Sequence, residues 1–223
     1  MASRILPSFL GIPQPAPRAA SRRGVALNPK LLAVFFLVSA LGIYVYWIDG
    51  EIRHPPGVLI ASQPSQARLQ KKRPWKKEEY VIIPLARFGL EARVLGAERY
   101  RLDRGSDLAP VDLALGWGPM SDQQVLDQLE ISQGSRFYFW SAGRLPLPPA
   151  VIATHSANMH MIPADSDIDD RLKSLRAGHL IRLKGYLVAV QAPDGWRWKS
   201  SLTRRDTGNG ACELVWVEEL ATL

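Results

Sequence analysis

One stretch constrains the fold of this chain more than any other. Residues 31–48, LLAVFFLVSALGIYVYWI, contain eighteen positions without a charge. A helix of that length measures about 27 Å, close to the hydrocarbon thickness of a bilayer. Tyr44, Tyr46 and Trp47 cluster at its end, as aromatic side chains do at a membrane interface. A buried core helix is the alternative, but such helices usually carry a polar stripe. The segment 31–48 therefore predicts a transmembrane helix.

The flanks of this apolar run predict its orientation. Residues 1–30 hold five basic side chains and no acid, whereas only Arg53 and Arg68 follow within twenty positions. The positive-inside rule places residues 1–30 in the cytoplasm and residues 49–223 outside it. A cleavable signal peptide has a shorter apolar region, of about 7–15 residues, and a small-residue cleavage site. We therefore expect a retained single-pass signal anchor, preceded by a disordered arm.

Residues 49–77 form a proline-rich, basic segment in which no helix or strand period is visible. This composition predicts an extended, semi-rigid linker. Within it, residues 68–77 (RLQKKRPWKK) hold six basic side chains and no acid. Contact with anionic lipid, at about 1 kcal/mol per cation, and a merely solvated linker are the two interpretations that suit this position. A nucleic-acid partner would also suit basic residues, but an extracytoplasmic location argues against it.

The net charge of +7 comes from the N-terminal arm and the linker. Residues 78–223 contain 16 basic and 19 acidic side chains, so the folded part is mildly acidic. We therefore expect no nucleic-acid partner. The single cysteine excludes an intramolecular disulfide framework and any zinc site built from several cysteines.

From residue 78 onward the pattern is that of a folded domain of residues 78–223. Two short helices are predicted, one opening at Ser121 with Gln124 in a capping box, the other capped by Ser166. Residues 106–122 predict a structured loop packed around Trp117, and residues 144–149 predict a proline connector leading to residues 151–153. Strands are expected at residues 80–86, 88–95, 98–102, 135–141, 181–187, 196–202 and 212–217.

The last three predicted strands are separated by turn signals at residues 193–195 and 208–210, which predicts a three-stranded meander. The fold class expected is therefore α+β, a transmembrane helix followed by a mostly antiparallel, barrel-like β domain. Residues 178–190 combine apolar alternation with a glycine in mid-strand, Gly185. In this they resemble small barrels such as the OB-fold.

Two polar stretches are candidates for a functional site, and the first is residues 154–160, THSANMH. His155 and His160 are five positions apart, which matches neither one face of a helix nor one face of a strand. A catalytic zinc ion needs three protein ligands, and no third ligand stands nearby. We therefore expect no metal and no cofactor, and assign loop-stabilising hydrogen bonds to His155, Ser156 and Asn158.

The second stretch, residues 200–213, contains the only cysteine, Cys212. A thiolate–imidazolium pair with His155 would be a nucleophile, and Arg204 or Arg205 would stabilise an oxyanion. The order of membrane anchor, external β-barrel, histidine, short helix and cysteine resembles the sortases, which implies a cysteine transpeptidase or hydrolase. The alternative is that Cys212 is a small buried strand residue, while Asp206 forms an Asx-type turn with the glycines that follow it.

Three segments taken together, residues 112–122, 154–165 and 200–213, also resemble uncharacterised bacterial proteins with the same layout of anchor and domain. That resemblance implies a bacterial origin and no activity. In a bacterium the expected anchor lies in the inner membrane and residues 49–223 lie in the periplasm. We expect a binding or assembly module of an envelope complex, contacting the bilayer and a membrane or envelope protein. The aromatic strand 137–140 is one candidate surface for that partner. The candidate binding residues are Trp117, His155, Asn158, His160, Trp196, Trp198 and Asp206.

Overall fold

The structure is a computed structural model that describes residues 28–203 and 212–223, with the backbone alone at residues 43–49. The chain divides into two compact units, Met1–Tyr46 and Trp47–Leu223. Helix α1 (Pro29–Asp49) begins in the first of them. Counted over the described residues alone, no helix combines the length and the apolar character that crossing a membrane requires.

The second unit is mixed α+β, as predicted, and most of its regular structure is strand. Its strands are β1 (Ser65–Arg68), β2 (Trp75–Lys77), β3 (Tyr80–Arg99), β4 (Val111–Gly116), β5 (Glu130–Gly134), β6 (Phe137–Ser141), β7 (Ser156–Pro163), β8 (Leu180–Gln191), β9 (Arg197–Lys199) and β10 (Glu213–Thr222). Its helices are α2 (Gln123–Leu126), α3 (Pro149–Thr154) and α4 (Ser166–Ser174), with a 3₁₀ turn at Gly118–Ser121. Two short helices were expected, and the described part of this unit has three.

Five strands close into a barrel in the order β3, β4, β7, β10, β8 and back to β3. All neighbouring pairs in this circuit are antiparallel except β7 and β10, which run parallel. Strands β3, β4 and β7 follow one another, and β8 returns to lie beside β3, which is a Greek key. A closed five-stranded Greek-key barrel is the architecture of the OB-fold.

The barrel interior is filled by alternate side chains of the five strands, because successive residues of a strand point to opposite faces. Leu113, Met159, Leu183 and Val215 are all fully buried there. Strands β8 and β10 approach closely at Gly185, where an added Cβ would lie 1.8 Å from the carbonyl oxygen of Trp216. Glycine is thus required for the curvature that closes the barrel.

Helix α4 packs between β7 and β10 and contributes Ile168 and Leu172 to the same core. The helix was expected here, but its N-cap is Asp165 instead of Ser166. The Asp165 carboxylate accepts a hydrogen bond of 2.9 Å from the backbone N–H of Ile168. Asp and Ser are about equally good N-caps, and Asp165 has the role because its backbone is extended while Ser166 is the first helical residue.

Residues 49–77, expected as an extended, semi-rigid linker, are hydrogen-bonded to the folded domain. The backbone N–H of Ile52 donates to the carbonyl of Ala177, and those of Leu59 and Ile60 both donate to the hydroxyl of Ser121. Further along, β1 and β2 pair with β3. Hydrogen bonds to buried partners, invisible in a local composition, hold the segment on the barrel.

The predicted helix start at Ser121 was wrong for the same reason. The Ser121 hydroxyl is engaged with residues 59–60, so the N-cap is Asp122, which accepts from the backbone N–H of Gln124 at 2.9 Å. Residues 151–153 lie inside α3.

Two predicted loops are strands, and the predicted meander is absent. The loop at residues 106–122 contains β4, every residue of which is buried, and the polar stretch 154–160 is mostly β7. In the sheet β9 pairs with β8, whereas a meander would also pair β9 with β10. Strand β10 instead lies between β7 and β8 and closes the barrel. The predicted turn at residues 208–210 lies outside the described residues.

Candidate functional site

A β-hairpin covers the outer face of β4 and β7. Strands β5 and β6 form a two-stranded sheet of their own, and its side chains Ile131, Tyr138 and Trp140 pack against a small buried cluster of the barrel. The hairpin therefore covers the outer face of β4, none of whose residues is exposed.

The hairpin turns through Ser135 and Arg136, whose φ angles are +52° and +70°. Both residues are in the left-handed region, which costs a side chain larger than glycine about 1–2 kcal/mol. Two-residue hairpin turns require this conformation, and asparagine or glycine usually supplies it. Contacts of the Arg136 side chain offset that cost.

The Arg136 guanidinium joins two carboxylates. It donates to Asp112 at 2.7 Å and to both oxygens of Asp103 at 2.7 Å each, a bidentate pair. The Asp112 side chain, on the outer face of β4, is 1% exposed. The Arg136 side chain also stacks on the ring of Tyr100, with 3.9 Å from its central carbon to the ring centroid. Arg136, at the tip of the hairpin, thereby neutralises the buried negative charge of Asp112.

These contacts set the charge state of the groups. Burial acts to lower the pKa of Arg136, but the hydrogen bond to Asp103 and the charge of Asp112 leave that pKa above its ordinary value. The hydrogen bonds from Arg136 hold the pKa of Asp103 below its ordinary value. Burial raises the pKa of Tyr100. The arginine and Asp103 therefore remain charged, and Tyr100 neutral, near neutral pH.

Strand β7 presents Asn158 and His160 to the same carboxylate. The Asn158 amide donates to Asp112 at 3.3 Å and to the carbonyl of Arg136 at 3.0 Å, and accepts from Gln133 at 2.8 Å. Nδ1 of His160 lies 2.9 Å from Asp112, within ion-pair range, although the angle is not that of a hydrogen bond. Asp112 thus has three polar neighbours from the hairpin tip and β7.

Aromatic rings complete this end of the barrel. Trp198 lies 4.7 Å from His160 and 5.8 Å from Trp196, between ring centroids. Arg104, in the loop before β4, pairs with Asp194 and lies over Trp196. We refer to the set assembled here as the loop-end cluster, which consists of Tyr100, Asp103, Asp112, Arg136, Asn158, His160 and Trp198.

Cys212 precedes β10 at the edge of this cluster. Its sulfur lies 4.0 Å from the carbonyl oxygen of Arg136, and its own carbonyl accepts a hydrogen bond from the backbone N–H of Ser201. The Ser200 hydroxyl accepts from the backbone N–H of Leu214. These serine contacts tie the end of β9 to the start of β10.

The structure therefore unites some of the predicted site residues and separates others. Asn158, His160 and Trp198 belong to the loop-end cluster, with Trp196 and Cys212 beside it. Arg204, Arg205 and Asp206 lie outside the described residues.

His155 and Trp117 lie elsewhere. Nδ1 of His155 is 2.9 Å from the carbonyl oxygen of Val151. The carbonyl oxygen of His155 accepts a hydrogen bond from the backbone N–H of Trp117, a core residue that is 1% exposed. Since Glu213 pairs with Met159, Cys212 adjoins Asn158, three residues from His155. At about 3.3 Å per residue, that offset is roughly 10 Å along the strands. No contact between His155 and Cys212 occurs in the described part of the chain.

Sequence reasoning missed the residues that organise the cluster. Arg136 stood in a predicted aromatic strand, Asp112 in a predicted loop, and Asp103 and Gln133 in connecting segments. Little in the sequence indicated these roles. A Ser-Arg pair is an unusual hairpin turn, and Asp112 lies beside His160 only because β4 pairs with β7.

The cluster combines charged groups, hydrogen bonds and aromatic contacts. Among the described residues, no group of three or more His, Cys, Asp and Glu side chains is placed to hold a metal ion. Comparison with known proteins finds no match for this chain among protein-family models, curated proteins or solved structures.

Proposed function

We propose that this chain is a membrane-anchored binding or assembly module of a bacterial envelope complex, with its barrel in the periplasm. The observation that carries the proposal is the loop-end cluster. Residues distant in sequence converge there on the face that OB-folds use for ligands. The ion pairs and hydrogen bonds within it hold the hairpin on that face and so fix the position of β6.

The hairpin offers a surface for a protein partner. Phe139, in the middle of β6, is 57% exposed, while its neighbours Tyr138 and Trp140 pack towards the barrel. An exposed phenylalanine on a short strand whose outer edge is unpaired among the described residues suits contact with another protein. Trp196 and Trp198 lie at the adjoining end of the barrel.

Partner capture tests this proposal. The full chain is purified in detergent from its native membrane, and the co-purifying proteins are identified by mass spectrometry. We expect Phe139→Ser to deplete a specific partner and Val58→Ser to retain it, because Val58 is similarly exposed, at 52%, outside the hairpin. Equal recovery with both variants would contradict a partner surface on β6.

The anchor rests on the uncharged run at residues 31–48 and the excess of basic residues before it. Apolar side chains of α1 such as Phe35 and Leu37 are exposed, at 65% and 72%. Alkaline phosphatase fused after Leu223 should be active, and a fluorescent protein that folds only in the cytoplasm should be dark there. The opposite pair of results would refute the orientation.

Thiol labelling separates this proposal from a cysteine-dependent transpeptidase. A nucleophilic thiolate reacts rapidly with iodoacetamide near neutral pH. We expect Cys212 to react slowly until the protein is denatured, and Cys212→Ser to leave partner capture unchanged. Rapid labelling that depends on His155 would favour the enzyme.

A further inference from the structure

A second feature of the barrel lies on the outer face of β3, β8 and β10. Arg87 pairs in register with Tyr186, and Tyr186 with Trp216, so the three side chains form one row across three strands. Trp75 of β2 packs on this row, its ring centroid 5.9 Å from Tyr186 and 5.1 Å from Trp216. Both contacts are edge-to-face, a favourable geometry for aromatic rings.

The row lies in an open cleft of about 470 Å³, within the range of small-molecule sites. Leu69 and Pro84 add apolar walls to the aromatic residues. The indole N–H of Trp75 is buried and has no hydrogen-bond partner among the described residues. A buried donor of this kind requires an acceptor from a water or a ligand.

Cations surround the cleft. Lys71, Arg73 and Arg87 line it, and Glu218 is the one carboxylate among the lining residues. Lys77 lies beside it, 5.7 Å from the Trp216 ring centroid. In the described part of the chain, none of these four cations forms an ion pair.

We propose that this cleft binds a phosphate-bearing ligand with an apolar or planar body. Two guanidinium groups and an ammonium group offer about thirteen N–H donors, and arginine binds phosphate oxygens in bidentate fashion. The body of the ligand packs on Trp75 and Leu69, and Glu218 accepts from a ligand hydroxyl. This site is separate from the loop-end cluster and does not depend on the proposed partner.

The phosphate has two sources, a glycerophospholipid headgroup or a soluble phosphate ester. Binding to the full chain in a non-ionic detergent is measured by calorimetry with three probes. These are dihexanoyl phosphatidylglycerol, dihexanoyl phosphatidylcholine and glycerol phosphate. The variant is Lys71→Gln combined with Arg87→Gln, and the control is Lys199→Gln combined with Arg197→Gln, which removes two exposed charges from β9.

We expect saturable binding of an anionic probe, weakened at least about tenfold by the cleft variant and unchanged by the β9 control. Binding of phosphatidylglycerol alone assigns the site to lipid, and comparable binding of glycerol phosphate assigns it to soluble esters. Trp75→Phe should weaken binding without unfolding the protein, as circular dichroism will verify. Failure of both anionic probes to bind, or an equal loss of binding in the β9 control, would overturn the proposal.

Discussion

Replacing Arg136 by alanine should destabilise the protein substantially, because it removes the charge partner of a buried carboxylate. The side chain of Asp112 is 1% exposed and that of Arg136 is 16% exposed. Breaking a buried ion pair by removing one partner costs about 3–5 kcal/mol. The second pair, with Asp103, is 39% exposed on its acidic side and adds at most about 1 kcal/mol. His160 and Asn158 still face Asp112, so a loss of about 3–4 kcal/mol is expected.

The assay is urea unfolding of the full chain in detergent, followed by tryptophan fluorescence. Two further variants separate the charge from the backbone. Arg136→Gly should be about 1 kcal/mol more stable than Arg136→Ala, because glycine adopts the φ of +70° without strain. Asp112→Asn combined with Arg136→Ala should cost less than the sum of the two single changes. A loss below about 1 kcal/mol for Arg136→Ala, or strict additivity in the double variant, would refute the reasoning.

Three other perturbations have expected outcomes. Gly185→Ala places a Cβ 1.8 Å from a backbone oxygen of β10 and should lower the melting temperature markedly. Gly143→Ala, with no atom within 4 Å of the added Cβ, should leave the melting temperature unchanged. Equal melting temperatures for the two variants would contradict the close approach. Burial, and then the charge of the nearby Arg176, lower the pKa of His179 below its ordinary value of 6.5. The unfolded chain therefore binds a proton at this histidine before the folded chain does, and the free energy of unfolding should fall as the pH drops below about 6.5. Urea midpoints that do not change with pH would contradict this. Arg93→Ala, at a fully buried arginine that holds residues 51–52, should make that segment sensitive to protease. Arg53→Ala removes only exposed pairs with Asp127 and Glu51 and should increase cleavage much less; equal cleavage of the two variants would contradict the role of Arg93.

Local pattern was sufficient for part of the fold. Helix α4 follows from Ile168, Leu172 and their helical spacing, and the first part of β8 follows from the apolar alternation along residues 181–187. Both elements bury one face, and a one-sided period is visible in sequence.

One-sided apolar periodicity does not reveal elements that are buried on both faces. Strand β4 has no exposed residue, because its inner face meets the barrel core and its outer face meets the hairpin. Residues 106–122 suggested a loop, because they are rich in glycine and proline. The Asp112 carboxylate, at the second position of β4, is acceptable there because Arg136 and Asn158 both donate hydrogen bonds to it. Residues 51–60 escaped prediction likewise, since their hydrogen-bond partners Arg93, Ser121 and Asp122 lie more than forty positions away.

The candidate site was predictable only where polar residues stood close together in sequence. Asn158 and His160 attracted attention because they lie in one polar stretch. Arg136 and Asp103 did not, because their role depends on a hairpin folding back across β4 and β7. The proposed pairing of His155 with Cys212 assumed a similar convergence, which the described residues do not contain.

Photo-cross-linking from position 139 tests the central claim, a partner bound at the hairpin, most directly. A benzophenone amino acid replaces Phe139 in the full chain in living cells, and the same group at position 58 serves as the control, since both side chains are about equally exposed. The account predicts one discrete adduct from position 139, lost when Arg136→Ala releases the hairpin, and none from position 58. The same adducts from both positions, or none from either, would contradict it.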